Sequence, residues 1–435
     1  MNTPLRTLLF STLYPSSVRP GHGIFVETRL RELLRSEQVQ THVVAPVPWF
    51  FSSNPLFGDY ARLALTPLRE TYHGMDVQHP RYLLPPKVGM NIAPFALALG
   101  ARPAVQRLLD EGFDFDLIDA HYYYPDGVAA ALLAWHFNKP LVVTARGSDI
   151  NLIGNAPIPR RLMQWASHRA YASIGVSRAL TQAMAQLQMP VSRLLTLPNG
   201  VDLNFFHIQV QDGARIALDW PRLPTLLSVG NLVENKGHHI AIEALTRLPM
   251  FRLVIAGEGP ERRGLEKLVQ QFNLTSRVQF LGRVDQTKLA ACYSAADVLV
   301  LLSSREGCPN VLLESLACGT PVVATRVGGV ADIIHSPVAG RLMSGRTVSG
   351  LVEAVRSLWR QLPPRLAVRA CTQGWGWQRT TDEQLNLFRE LRLQTQASPK
   401  YPSPLPTLPP LNGAGPIQLS TASSACAESA REVPR

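Results

Sequence analysis

The stretch VLVLLSSREGCPNVLLESLACGTPVVAT, residues 298–325, decides how the rest of the chain is read. Val298–Leu302 is an unbroken apolar run of strand length. Small and polar residues interrupt it from Ser303 to Cys308. Apolar positions at Val311, Leu312, Leu313 and Leu316 then follow helical spacing, and Gly319 is a natural stop after Cys318. Pro321–Thr325 is apolar again. Strand, loop, helix and strand in that order read as one parallel crossover unit. A strand with large apolar side chains at every position is buried on both faces.

The same alternation runs outward in both directions. Downstream of Pro198–Asp202 it predicts strands at Thr225–Val229, Arg252–Ala256 and Val278–Leu281. Helices are predicted at His238–Arg247, Glu261–Phe272 and Gln286–Ala295. Upstream, Leu8–Thr12, His42–Val47, Leu117–Ala120, Leu141–Thr144, Ser173–Val176 and Leu194–Leu197 read as strands. Helical patterns at Ile24–Ser36, Gly127–Phe137 and Arg178–Gln188 separate some of them. The chain therefore reads as an α/β protein with two doubly wound parallel-sheet units. They are assigned residues 1–203 and 204–374, followed by a helical segment over 375–397 that crosses back to the first unit. Asp59–Pro86 has weak patterning and receives no assignment. Residues 398–435 contain eight prolines among Ser, Thr and Ala, and are read as a disordered tail.

Composition bounds the function. A hydrophobic content of 46% with 17% charged residues excludes a mostly disordered chain. No apolar run approaches the roughly 18–20 residues of a membrane span, and the N-terminal apolar core is too short for a signal peptide. A soluble, cytoplasmic protein is expected. Five cysteines, Cys292, Cys308, Cys318, Cys371 and Cys426, lack the paired spacing of a zinc site or disulfide framework. Free thiols are expected. The 43 Lys and Arg against 32 Asp and Glu give a formal charge of +11. That surplus suits nucleic acid, an anionic membrane or a phosphorylated substrate. No basic block interleaved with aromatics forms a nucleic-acid module, so nucleic acid is set aside. Arg dominates the surplus, and Lys236 is one of only six lysines.

Within 298–325, Glu306 falls in the loop at a strand's carboxyl end, where ligands bind in open α/β sheets. Gly307, Cys308, Asn310 and Val311 surround a helix start, where backbone N–H groups favour an anion such as a diphosphate. Glu314 lies about one turn into the helix and could accept from two vicinal hydroxyls. Lys236 precedes Gly237 at another strand–helix junction. Gly257 and Gly259 allow a tight turn, but Arg262 and Pro260 break any GxGxxG fingerprint. In the first half, the glycine loop at Gly21 and Gly23 follows the first strand. His121 ends a strand beside Tyr122–Pro125. Arg146 and Asp149 follow another strand, and a permanent cation there suits phosphate.

Arg305–Thr325 resembles the E-x7-E segment of retaining glycosyltransferase family 4. The resemblance extends to about residue 395 through Asn199–Asp202, Val229-Gly230 with Lys236-Gly237, Ala256–Pro260 and Phe280–Gly282. Leu13–Pro15 with Gly23–Glu27 is similar to a subgroup that includes teichuronic-acid-type polysaccharide glycosyltransferases. The resemblance implies the GT-B fold, with two Rossmann-like units facing a central cleft. It implies transfer of a sugar, with retention, from a nucleotide-sugar to a glycan or lipid-linked acceptor in cell-surface polysaccharide biosynthesis. Glu314 would hold the ribose, Glu306 the donor-sugar hydroxyls, and Lys236 the diphosphate. His121 would line the donor-sugar pocket. Gly23, Gly230, Asn231, Gly257, Gly282 and Arg283 would complete the donor site, and Gly21, Arg146 and Asp149 are candidates for acceptor or phosphate contact. Asn231 stands where the family usually has Arg; Arg146 or Arg283 are the candidate replacements.

The resemblance implies no cofactor, no metal and no protein nucleophile or base, the donor phosphate oxygen taking the acceptor's proton. A sugar-nucleotide epimerase or a non-catalytic assembly protein of the same fold are the competing readings. The apolar and basic stretch Lys87–Leu108, with Arg102, Arg107, Arg160, Arg161 and Arg169, raises peripheral association with the inner face of an anionic membrane.

Overall fold

The computed structural model describes residues 4–84 and 89–397. The readings of Lys87, of Cys426 and of residues 398–435 as a tail therefore lie outside the described residues. Over the described residues the chain divides into two compact units, one built from residues up to Pro198 together with 380–397, the other from Asn199–Arg379.

The first unit contains an eight-stranded sheet. Its strands are β1 (Leu5–Phe10), β2 (Val39–Val44), β4 (Arg69–Tyr72), β5 (Met75–Gln78), β7 (Leu117–His121), β8 (Leu141–Ala145), β9 (Ala172–Gly175) and β10 (Leu194–Thr196). Their order is β10-β9-β8-β7-β1-β2-β5-β4. Every pairing is parallel except β4 with β5. That antiparallel hairpin falls in the segment with weak sequence patterning. β4 is the edge strand and buries none of its residues, while β5 buries the adjacent Val77 and Gln78, so neither strand shows an alternation of core and solvent. Two short strands, β3 (Val47–Pro48) and β6 (Arg81–Tyr82), pair separately. β1 starts three residues before the expected Leu8: Leu5 is buried, and alternating exposure at Arg6 hides the strand's beginning.

The second unit has six parallel strands: β11 (Thr225–Val229), β12 (Arg252–Ala256), β13 (Val278–Gly282), β14 (Val298–Leu301), β15 (Val322–Ala324) and β16 (Gly340–Leu342). Their order is β13-β12-β11-β14-β15-β16. The unbroken apolar runs have a direct physical reason. Leu227, Val254, Leu299 and Val322 enter the core on one face, while Leu226, Leu253, Val300 and Val323 enter the core on the other. Helices cover both faces, so the strand interiors are mostly apolar, and the buried polar exceptions are partnered, as Ser228 is by His238 and Thr225 by Asp297.

The last helix, Trp377–Ala397, closes the first unit's core. Its Leu385, Phe388 and Leu391 pack with Leu5, Leu117, Val142 and Ile174 of the sheet. Burying three such side chains is worth several kcal/mol, at about 1.5–3 kcal/mol each. Among the described residues no helix is long and apolar enough to cross a membrane, and Cys292, Cys308, Cys318 and Cys371 are free thiols.

Candidate functional site

In the second unit β11 and β14 are neighbours whose chains continue in opposite directions across the sheet. Loops leaving their carboxyl ends therefore diverge, which is where open α/β sheets take ligands. Lys236 lies in the loop after β11 and Glu306 in the loop after β14. The structure brings them together: Lys236 Nζ donates to Glu306 Oε1 at 2.5 Å, and Ser303 Oγ donates to the same oxygen at 2.5 Å. Both side chains are only partly shielded, at 25% and 11% exposure. A pair reached by solvent in this way is also within reach of a ligand.

Each loop is held firmly. Gly237 sits at φ 72°, and a Cβ there would run into the Leu302 carbonyl. Arg346 Nε donates to that carbonyl at 2.8 Å, and Arg346 Nη2 donates to Glu234 O at 3.1 Å. Ser304 N donates to Asn235 O at 2.8 Å, tying the two loops directly. His238 follows Gly237 and is buried. Its Nε2–H donates to Asn231 O at 3.2 Å, so Nδ1 accepts from Ser228 Oγ at 2.9 Å. Burial lowers this imidazole to about 4, keeping it neutral.

Glu314 lies on the helix Asn310–Ala317 directly after the Glu306 loop. Tyr293 Oη donates to Glu314 Oε2 at 2.8 Å. Burial pushes the Glu314 carboxyl up to about 7, against the pull of that hydrogen bond. The helix has no side-chain cap at Pro309, so its first amides face the anion-binding direction of the macrodipole. Gly307 O accepts from Gly329 N at 2.9 Å, and Asn310 Oδ1 accepts from Asn199 Nδ2 at 2.9 Å. Cys308 and Val311 are half-buried beside them.

The glycines at the carboxyl ends of β11, β12 and β13 form a backbone floor. Gly230 N donates to Ala256 O at 3.0 Å and Gly257 N to Gly282 O at 2.8 Å. A Cβ on Gly257 would overlap the Gly230 carbonyl. Gly230 lies against the Lys236 side chain. Asn231 and Arg283 are exposed at the ends of β11 and β13.

In the first unit the corresponding divergence falls between β1 and β7. Ser11 Oγ donates to His121 O at 2.9 Å, and Thr12 Oγ1 donates to Asp126 Oδ2 at 3.0 Å. Gly23 is buried at φ 70°, where a Cβ would strike the Leu13 carbonyl, and Gly21 is exposed at the loop's tip. His121 is 1% exposed. Arg146 Nη2 donates to its Nδ1 at 2.6 Å, which leaves Nε2–H facing Asp119 Oδ2 at 3.3 Å. Burial lowers the ring to about 4, so it is neutral. In this unit the ring supports Arg146 from below. Arg146 itself is half-buried, its guanidinium 5.2 Å from the Phe25 ring centroid. Asp149 is buried and accepts from the backbone of Tyr123, Arg146 and Gly147, at 2.7, 3.1 and 2.7 Å. Its carboxylate shapes the loop, with burial raising it and those N–H groups lowering it.

Residues 217–369 match the family model described as glycosyl transferases group 1, and residues 76–205 match the model described as glycosyltransferase family 4. A relative from Bacillus subtilis strain 168, described as a putative teichuronic acid biosynthesis glycosyltransferase, is 30% identical over 364 residues. That match spans 81% of this chain and 88% of the relative. This chain is a member of glycosyltransferase family 4. An N-acetyl-alpha-D-glucosaminyl L-malate synthase from Bacillus anthracis is 25% identical over 60% of the chain and 68% of that protein. Among solved structures, sucrose-phosphate synthase of Thermosynechococcus elongatus aligns with a TM-score of 0.71 at 20% identity. It covers 89% of this chain and 99% of that one. HepE of Anabaena, in complex with UDP and glucose, aligns at 0.68 with 19% identity, over 89% of this chain and all of that one. These likenesses show the GT-B fold, and membership makes the chain a transferase.

Five residues that hold the candidate groups in place were not singled out from sequence: Asp119, Tyr293, Ser303, Arg346 and His238. His238 stands beside Lys236-Gly237, Ser303 three residues before Glu306 and Asp119 two residues before His121, whereas Tyr293 and Arg346 act from distant positions in the chain. The two buried neutral histidines have a measurable consequence. Each has a folded-state pKa near 4, below the unfolded value of about 6.5. Their full contribution is present above the unfolded value and is lost as pH falls from there toward 4, because the unfolded chain then binds the proton first. At pH 5 the loss is about 2 kcal/mol per histidine. A His238→Asn variant is expected to gain about that much stability relative to the parent between pH 7.5 and pH 5. Urea unfolding at the two pH values measures it, and a pH-independent difference would contradict a neutral His238.

Proposed function

We propose that this glycosyltransferase moves a hexosyl group from a nucleoside-diphosphate sugar, with retention of configuration, to a glycan or lipid-linked acceptor in cell-surface polysaccharide assembly. The observation that carries the donor assignment is the Lys236–Glu306 pair where the β11 and β14 loops diverge. A primary ammonium beside backbone amides supplies the positive potential that a departing nucleoside diphosphate needs. When the diphosphate takes Lys236 as partner, Glu306 is released to accept from sugar hydroxyls. Glu314 accepts from the ribose, and the amides around Gly307 and Cys308 meet the phosphate. Gly230, Gly257 and Gly282, with Asn231 and Arg283 nearby, let the nucleotide lie close to backbone.

Arg146 and the Gly21 loop are read as the first unit's contacts with a phosphate or acceptor, and His121 as the residue that aims Arg146. No side chain is assigned as nucleophile or base. The reading takes Lys236 and the backbone amides in place of a metal, and no cofactor. The polysaccharide role rests on the description of the Bacillus subtilis relative, and a nucleotide-sugar donor on the UDP and glucose complex of the Anabaena structure.

The test is nucleoside-diphosphate release with a panel of uridine-, guanosine- and adenosine-diphosphate sugars, with anomeric configuration read by NMR on the product. Retention with one nucleotide class is expected. An inverted product, or no release with any donor, would overturn the reading.

A further inference from the structure

We infer that residues 49–84 and 89–99 of the first unit present a docking surface for an anionic lipid bilayer. Large apolar side chains exposed among the described residues concentrate there: half of them fall in this segment, led by Leu56 at 90%, Leu99 at 69% and Phe51 at 67%. A soluble monomer seldom exposes apolar residues in such a group unless something covers them.

Several contacts join the parts of the segment. β3 pairs with β6, and Trp49 N donates to Tyr82 O at 2.7 Å. The Arg81 guanidinium donates to the carbonyls of Leu63 and Thr66. Gly100 of the helix Gly89–Asp110 abuts the Arg81 carbonyl so closely that a Cβ would not fit. The turn at 50–60, the residues after β6 and this helix are therefore adjacent. Phe50 meets Phe51, Phe57 and Tyr60 at centroid distances of 4.6, 5.4 and 5.2 Å. Three of these four rings are exposed, so they pack on one another rather than on the core. The helix buries Leu97, Ala101 and Leu108 yet exposes Met90, Phe95 and Leu99.

Charge selects the occupant. Arg62, Arg102 and Arg107 are exposed on the same elements, and the chain carries a formal +11. Arg62 faces Asp59 at 3.6 Å across an exposed surface, where such pairs are weak. Aromatic and aliphatic side chains beside arginines suit the headgroup boundary of an anionic leaflet, into which the rings insert while guanidinium groups meet phosphates. Of the arginines grouped with this region from sequence, Arg160 is held by the Gly154 carbonyl at 2.9 Å and Arg169 lies over Trp165. The surface is therefore centred on the turn and the long helix.

The inference does not depend on the donor assignment, and its test reads binding alone. Full-length protein is floated with vesicles of phosphatidylcholine, with and without phosphatidylglycerol, at low and high salt. Flotation with the anionic vesicles, weakened by salt, is expected. The double variant Phe51→Ser/Leu56→Ser should reduce the bound fraction about tenfold or more, while its thermal unfolding and vesicle-free nucleotide release stay as in the parent. Absence of flotation, or flotation indifferent to the double variant, overturns the inference. So does concentration-dependent dimerisation in ultracentrifugation that the variant abolishes, which would make a second copy the occupant.

Discussion

Replacing Lys236 by alanine is expected to lower kcat/KM for sugar transfer by about 10²–10³-fold, the scale of removing one preorganised electrostatic group. The ammonium sits 2.5 Å from Glu306 Oε1. Without it, the Glu306 carboxylate keeps Ser303 Oγ as a donor but presents an uncompensated charge to an incoming diphosphate. Two effects therefore add: lost attraction for the leaving group and new repulsion of it. The first grows as the glycosidic bond breaks, so kcat should fall more than affinity for the nucleoside diphosphate. Lys236→Arg should recover part of the activity, because charge is kept while the compact ammonium is lost.

Glu306→Ala should also be severe. The double variant should be milder than the product of the two single losses, since each single variant strands an opposite charge. Steady-state kinetics with separate nucleotide titrations checks this. If both single variants transferred sugar at the parental rate, the site assignment would be wrong.

How far the sequence could be read depends on whether a residue's reason is local. The strands Thr225–Val229 and Arg252–Ala256 have the predicted limits, because burial on both faces leaves a run of apolar residues with no phase to misjudge. The strand, loop and helix that carry Glu306, Gly307 and Glu314 were legible from signals within one short segment. The antiparallel β4–β5 edge was not, because exposure on that edge removes the pattern. His121 illustrates a subtler limit. Its place at a strand end was readable, and Asp119 lies two residues before it on β7, but its burial and its bond from Arg146 depend on the loop after β8. Gln384 in the last helix donates to Asp119 Oδ2 at 3.0 Å and accepts from Arg29 Nε at 3.0 Å. No spacing rule connects positions so far apart. Asp149 looked like a ligand group for the same reason, since its backbone partners appear only once the loop is folded.

Glu314→Gln should make the protein more stable and a weaker binder of nucleotide. The carboxyl titrates near 7 in the folded chain because burial disfavours its charge, against about 4.3 unfolded. The folded-state pKa is raised, so the contribution is intact below the unfolded value and is lost as pH rises through 7. Above that the parent carries a penalty of about 4 kcal/mol, constant with further increase in pH. Glutamine keeps an oxygen for Tyr293 Oη, at 2.8 Å in the parent, but never ionises. At pH 8 the variant is therefore expected to melt several degrees higher, with the advantage vanishing near pH 4. Binding should move the other way. Vicinal ribose hydroxyls donate more strongly to a carboxylate than to an amide, so Kd for the nucleotide should rise about 10–100-fold at pH 8, the equivalent of about 1.4–3 kcal/mol. Such an opposition marks a residue retained for binding at the expense of stability. Thermal unfolding across pH and calorimetric titration of the nucleotide read the two halves separately. A variant that melts no higher at pH 8 would contradict a carboxyl raised by burial, and an unchanged Kd would remove Glu314 from the ribose site.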